Sequence, residues 1–275
     1  MREFLTVVAI NLVLALLLAG LAYLVWSKSP LTAGKLRRLA GRGAVRADGA
    51  LPCAGRLLAA AELERVLDET DSAEPMLTAL LLRWSQCGAV ALADRPKKEM
   101  KSFGEDVQPQ MDFLEDAEPP QMETAEALLW QTLRAWAGED ASLQQNELYS
   151  RARDGHAELL GRIDHLKGAG RHALREMGVS HWEEKPGKLI FAAEKREVYS
   201  QKGVRTARGL LAYRKFCDGS SGLRGEQALF AVLAGSDHLA DRAALARARA
   251  LAEACLNGAA AGERAGKLRG KGDAI

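Results

Sequence analysis

The most apolar part of the chain is its beginning, where the pattern of positions predicts a membrane-spanning helix. Residues Phe4 to Trp26 carry no charge over 23 positions, and only Thr6 and Asn11 are clearly polar. A helix of this length rises about 35 Å, enough to cross a hydrocarbon core of about 30 Å. A cleaved signal peptide is the alternative, but its apolar stretch is shorter and precedes a small-residue cleavage motif. We therefore expect residues 1–30 to be a transmembrane anchor.

The charges that flank this segment predict its orientation. Six bases and no acid lie in residues 27–46, whereas Arg2 and Glu3 precede the span. An excess of Lys and Arg marks the cytoplasmic side, so the body that follows is expected in the cytoplasm. These bases are either a topology signal alone or a contact with anionic lipid. The predicted membrane-interface residues are Trp26, Lys28, Lys35, Arg37 and Arg38.

Behind a basic juxtamembrane linker at 31–55, apolar positions recur at helical spacing and predict a mainly α body. A first helix is expected at about 56–67, and a second ends before Gly88. The second carries its apolar residues on one face, at Leu77, Leu80, Leu81 and Trp84. The apolar run 89–92 has the length of a strand. This order of helix, helix, glycine and strand is compatible with a winged-helix unit.

Residues 93–121 interrupt the helical pattern and complete the first unit, 56–121. They contain four prolines, and from Glu99 to Glu126 nine acids accompany one base, Lys101. We interpret this stretch as a long wing or an exposed acidic loop. Such a run is usually a solvated surface; the functional alternative is a docking surface for a basic partner.

Helical spacing returns at residue 122 and predicts a second helical or winged-helix-like unit over 122–205. It contains a long amphipathic helix that ends at Gly178, and a run at 188–192 that fits either a hairpin strand or a short buried helix. C-terminal helices are expected at 206–257. The Asn257–Gly258 pair is expected to end the last of them, leaving 258–275 as a disordered tail. The fold class is thus mainly α, with small β-hairpins.

Composition and cysteine usage agree with a helical cytoplasmic body. The chain has 48% apolar, 27% charged and 5% aromatic residues, which excludes a simple disordered chain and disfavours a β-sandwich. Its net charge of +2 indicates no particular partner. The four cysteines are far apart and form no zinc-binding spacing, so they are expected to be reduced and mostly buried: Cys53, Cys87, Cys217 and Cys255.

A search for catalytic constellations predicts no enzyme, no cofactor and no metal. His165 and His172 share one helix face but lack an evident third metal ligand. The Gly168-Ala169-Gly170 triplet follows no strand and lacks the remaining residues of a nucleotide loop, so we interpret it as a kink or a close helix contact. Neither a Gly-x-Ser-x-Gly elbow nor a His-Glu-x-x-His motif is present.

Three stretches carry a resemblance to a known family: Ala79 to Val90, Gly203 to Phe216, and Leu229 to Gly235. In these stretches the chain resembles the YciQ-like bacterial membrane proteins, which contain a domain of unknown function. The resemblance implies a membrane-anchored bacterial protein with a mainly helical cytoplasmic body and no established activity. Members of this kind tend to have a domain ahead of the first span and further spans later, so topology beyond the first helix is not transferred.

Two functions of different class follow from these observations. The first is a non-enzymatic single-pass protein of the bacterial inner membrane, whose partners are the lipid bilayer and another protein held by the helical body. The alternative is a membrane-tethered winged-helix DNA-binding regulator, although tethering keeps the body away from most DNA. An enzyme with an unrecognised site is a third hypothesis. The possible partner-binding residues are the bases around the long helix: Arg151, Arg153, Arg162, Lys167, Arg171 and Arg175.

Overall fold

The computed structural model describes residues 15–18, 30–97, 107–114, 122–185 and 194–272. This part of the chain is mainly helical with small antiparallel sheets, as predicted. Within it, no helix combines the length and the apolar character that crossing a bilayer requires. Apart from residues 15–18, which are helical, the predicted anchor lies outside the described residues, together with Trp26 and Lys28. The 188–192 run lies outside them as well.

Between residues 30 and 114, the described part of the first half contains three α-helices, a short 3-10 helix (Pro52–Gly55) and a hairpin: α1 (Ala33–Ala40), α2 (Leu57–Asp68), α3 (Glu74–Gln86), β1 (Val90–Pro96) and β2 (Val107–Phe113). The predicted apolar face of α3 is buried throughout. Of the two interpretations of 93–121, the exposed loop is wrong for Val107–Phe113, because this stretch is strand β2 and pairs with β1 from Val90↔Phe113 to Pro96↔Val107. The strand was not predicted because two of its buried positions are polar, Gln108 and Gln110, so the usual apolar alternation is missing.

The second half contains the remaining elements. They are α4 (Thr124–Ala137), β3 (Ser142–Gln144), α5 (Gln145–Asp154), α6 (His156–Glu176), β4 (Ser180–Lys185), β5 (Glu194–Tyr199), α7 (Gln201–Asp218), α8 (Gly225–Leu233) and α9 (Arg242–Gly272). Helix α6 is the long amphipathic helix expected from the sequence, and it packs against both α2 and α4.

Three helices, α3, α6 and α8, end in the same backbone geometry. Gly88, Gly178 and Gly235 follow them with φ of +74°, +68° and +76°, a region that residues with a Cβ rarely adopt. In each case the amide after the glycine donates a 2.9 Å hydrogen bond back into the last helical turn. These bonds run from Ala89 to Trp84, from Val179 to Leu174 and from Ser236 to Ala231. The glycines thus satisfy helix carbonyls and redirect the chain.

Each hairpin receives an additional partner from the other half of the chain. Strand β3 of the second half pairs with β2, and the Phe113 amide donates to the Ala141 carbonyl at 2.8 Å. Reciprocally, the Tyr199 amide at the end of β5 donates to the Leu31 carbonyl at 2.7 Å. Backbone hydrogen bonds therefore connect the 122–205 stretch to strand β2 and to the 31–55 stretch, and one apolar core includes residues from all three.

The last helix corrects the prediction of a disordered tail from residue 258. Helix α9 continues through Asn257 and Gly258 to Gly272. Gly258 and Gly262 lie against α5 so closely that an added Cβ would overlap the carbonyls of Tyr149 and Arg153. Gly258, which the sequence predicts as a helix stop, is instead, like Gly262, a position where two helix backbones approach each other, which only a residue without Cβ permits.

The cysteines are free, and three of the four are buried, as predicted. Burial raises the pKa of the Cys53 and Cys255 thiols to about 12 and that of Cys217 to about 11. Cys87, at the end of α3, is exposed. The buried thiols therefore pack as small apolar groups and stay protonated at neutral pH.

Candidate functional site

A groove of about 950 Å³ lies between the start of α4 and the outward face of α6. We call it the α4–α6 groove. Its apolar floor comes from Ala125, Leu128, Ala169 and Ala173. Its polar lining comes from Arg56, Glu123, Thr124, Asp164, His165, His172 and Glu176, and two glycines complete it, Gly161 and Gly168.

Helix α6 contributes a stripe of residues at helical spacing to this groove. Gly161, His165, Gly168 and His172 follow one another by four, three and four positions and so share one face. An added Cβ on either glycine would have no neighbour within 4 Å, so the helix backbone is open to approach there. From residue 161 to Glu176 the face runs about 22 Å, or roughly four helical turns.

The groove carries more acidic than basic side chains among its described lining residues. Glu123, Asp164 and Glu176 face a single base, Arg56. Arg56 Nη1 donates to Glu176 Oε2 at 2.7 Å, and this hydrogen bond lowers the pKa of the Glu176 carboxyl below its usual value. His172 Nδ1 lies 3.5 Å from Glu176 Oε1. With Arg56 and Glu176 paired to each other, Glu123 and Asp164 give the groove its negative charge.

A buried carboxylate holds the α4 wall of the groove in place. Glu126 lies one position beyond the lining residue Ala125 and is fully buried. It accepts hydrogen bonds from Trp84 Nε1 at 2.8 Å and from Arg83 Nη1 at 3.1 Å, which tie α4 to α3. Burial raises the pKa of Glu126, and the bonds from Trp84 and Arg83 oppose that shift. The sequence does not indicate this link, because Trp84 and Arg83 lie 42 and 43 positions before Glu126.

The structure brings His165 and His172 to one groove, as their spacing predicted, but separates them along the helix. Seven residues correspond to about 10 Å of rise, too far for both rings to bind one ion. In the described ranges, no three His, Cys, Asp or Glu side chains lie where they would hold a metal. The second interpretation of the Gly168–Gly170 triplet, a close helix contact, is confirmed. A Cβ on Gly170 would overlap the Leu58 carbonyl of α2.

Each of the six predicted partner-binding bases has an acid or a carbonyl of its own chain beside it. Those on α6 contact their own chain: Arg162 lies 3.1 Å from Glu158, Lys167 donates to the Asp71 carbonyl at 3.3 Å, Arg171 donates to buried Glu62 at 3.2 Å, and Arg175 lies 3.8 Å from Glu197. Arg151 and Arg153 are exposed on α5, beside Glu147 and Asp154. The partners of Arg151, Arg153 and Arg162 lie within four positions in sequence, whereas those of Lys167, Arg171 and Arg175 come from other elements.

The described membrane-interface residues lie on α1. Arg37 pairs with Glu69 and its Nε donates to the Ala33 carbonyl at 3.3 Å, so it is partly engaged. Arg38 is exposed, and Lys35 is half-buried.

Comparison of the chain with protein-family models, with curated proteins and with solved structures found no match. The function of the α4–α6 groove is therefore inferred from its own residues.

Proposed function

We propose that this protein is a non-enzymatic single-pass protein of the bacterial inner membrane whose cytoplasmic helical body binds a segment of another protein in the α4–α6 groove. The groove is the observation that carries the proposal. The uncharged Phe4–Trp26 segment and the bases after it support the anchor and its orientation. The resemblance to the YciQ-like membrane proteins supports the same cellular location.

The chemistry of the groove indicates the kind of segment it binds. A floor of alanines and open glycine backbone favours a partner that approaches closely, such as a helix with small apolar residues on one face. A length of about 22 Å accommodates roughly four turns of such a helix. Glu123 and Asp164 favour a Lys or Arg on the partner at the rim.

We interpret each half of the body as a winged-helix-like unit, with helices followed by a hairpin as the wing. The two units share a core, and strand β3 of the second pairs with β2 of the first, which supports a rigid platform for binding. A DNA-binding regulator is the alternative. It has less support, because the α6 bases on which it depends contact acids or carbonyls of the same chain.

A photo-crosslinking residue at His165, in the full chain in native membranes, tests the proposal. We expect a discrete crosslinked protein that is lost when Gly168→Leu fills the groove. Gly168 has open space around its Cβ position, so this change blocks the groove without disturbing the core. The control is Gly266→Leu, at an exposed helical glycine of α9. A crosslink that persists in Gly168→Leu, or no crosslinked protein at all, would overturn the proposal.

A further inference from the structure

Two stretches without any acid, 31–47 and 201–217, lie far apart in sequence and pack together in the fold. The first contains α1 and the segment after it, and the second is most of α7. Each carries five bases. Helix α1 packs on α7, and the segment 42–48 continues along the outer side of that helix.

Backbone and side-chain hydrogen bonds hold the segment 42–48 on α7. Arg208 donates to the Arg42 carbonyl, and Lys215 Nζ donates to the Val45 carbonyl at 3.0 Å. The Asp48 amide donates to the Ala212 carbonyl at 3.2 Å. The bases of the segment and those of α7 are thereby held on one side of the body.

We name the result the α1–α7 basic face and define it by its exposed bases: Arg38, Arg42, Arg46, Lys202, Arg205, Arg208 and Lys215. Of the other three bases of these stretches, Arg37 pairs with Glu69, Arg214 pairs with Glu64 and Asp68, and Lys35 is half-buried. The exposed acids next to the face are Asp68 and Glu69, in these pairs, and Asp48 and Asp218, at the ends of the two stretches. The seven exposed bases outnumber these four acids, so the face is positively charged.

We propose that the α1–α7 basic face rests on anionic phospholipid headgroups of the membrane that carries the chain. This inference extends the proposed function, since it relies on the anchor for proximity. From Trp26 to Ala33 the chain spans at most about 25 Å, so α1 stays near the bilayer surface. Each Lys or Arg side chain this close to anionic lipid raises the ratio of docked to undocked chain about fivefold. The sequence shows only the first row of bases; the fold adds the second row from α7.

Acylation of lysines by an amine-reactive reagent tests this docking with the full chain in lipid nanodiscs. One set of discs contains phosphatidylcholine alone, and the other adds phosphatidylglycerol. Lys202, on the basic face, is the reporter, and the exposed Lys267 of α9 is the reference in the same molecule. We expect Lys202 to react more slowly relative to Lys267 in the anionic discs, and high salt to remove the difference.

The matched variants remove three bases on or off the face. Together, Arg38→Gln, Arg46→Gln and Arg205→Gln are expected to reduce the ratio of docked to undocked chain on the order of 100-fold, at roughly fivefold per base. The control combines Arg151→Gln, Arg153→Gln and Arg224→Gln, which are exposed bases of α5 and of the turn before α8, and retains the wild-type lipid effect. Equal Lys202 reactivity in both kinds of disc would overturn the proposal. So would stronger protection by a DNA duplex in neutral discs than by anionic lipid.

Alkaline extraction of native membranes distinguishes a failure of the proposed transmembrane anchor from a failure of the α1–α7 basic face. If the chain is extracted, the proposed anchor fails. The basic face is then tested by sedimentation of the same full chain with neutral and with anionic vesicles. Binding to the anionic vesicles alone would support the face without the anchor, and equal binding to both would refute it.

Discussion

The contact between α2 and α6 makes a sharp prediction about two glycines of the same helix. Gly170 packs against α2, and an added Cβ would overlap the Leu58 carbonyl and lie 3.0 Å from Glu62 Cβ. Gly168, two residues earlier and also inside α6, has nothing within 4 Å of the same position. Gly168→Ala and Gly170→Ala therefore add the same methyl group to the same helix, one in open space and one at a helix crossing.

The magnitude follows from comparing the two variants. Both gain about 1 kcal/mol of helix propensity, because alanine replaces glycine in a helix interior. Only Gly170→Ala must push α2 and α6 apart, and overpacking of this kind costs about 1–3 kcal/mol. We expect a cost at the upper end of this range. Glu62 is buried and bonded to Arg65 and Arg171, and a shift of α2 would strain these charge-assisted hydrogen bonds. The difference between the variants removes the propensity contribution and isolates the packing.

Thermal unfolding of the full chain in detergent, followed by circular dichroism, measures this difference. We expect Gly168→Ala to melt at or above the wild type and Gly170→Ala to melt below it. For a body of this size each kcal/mol shifts the midpoint by about 2–4 °C. If Gly170→Ala is as stable as Gly168→Ala, the close α2–α6 crossing is wrong, and so is the position of the groove-bearing helix.

Three further predictions concern the groove wall, the last helix and the thiols. Burial raises the pKa of Glu126 in the folded chain above its value in the unfolded chain. Protonation of this carboxyl therefore stabilises the fold at low pH, and this stabilisation is lost as the pH rises through the folded pKa. Relative to Glu126→Gln, the wild type should therefore gain unfolding free energy as the pH is lowered from neutral toward the ordinary pKa of glutamate; a constant difference would contradict the burial of this carboxyl. Gly262→Ala should free the end of α9 and expose it to limited proteolysis, whereas Gly266→Ala should not; equal cleavage would refute the packing on α5. A maleimide should label only Cys87 in the native chain; rapid labelling of more than one thiol would contradict the described core.

The sequence was most informative where a local pattern has a local cause. The apolar spacing in α3 and the glycine that follows it predicted both the helix and its end, because helix burial and the left-handed cap depend on a few neighbouring residues. The shared face of His165 and His172 was predictable for the same reason, and both residues line the α4–α6 groove.

Long-range features were not predictable from these patterns. Strand β2 is built partly on buried glutamines that bond to Gln144, so it lacks an apolar alternation. Its partner strand β3 comes from the other half of the chain, which no local signal specifies. The partners of three α6 bases were not predictable either, because Glu62, the Asp71 carbonyl and Glu197 come from other elements of the chain.

Glycine had two roles that the sequence does not separate. Gly88 ends a helix, with φ of +74°, whereas Gly258 lies within α9 at a close crossing with α5. Both are glycines at the end of an apolar pattern, and only the presence of a neighbouring helix distinguishes them. The prediction of a disordered tail was wrong for this reason.

Mapping the crosslink from His165 tests whether the α4–α6 groove binds a segment of another protein. Mass spectrometry of the crosslinked product identifies the peptide that lies in the groove. We expect a single protein segment with small apolar residues at helical spacing and a Lys or Arg next to them, absent in Gly168→Leu. Crosslinks to lipid alone, or to many unrelated peptides irrespective of Gly168→Leu, would contradict it.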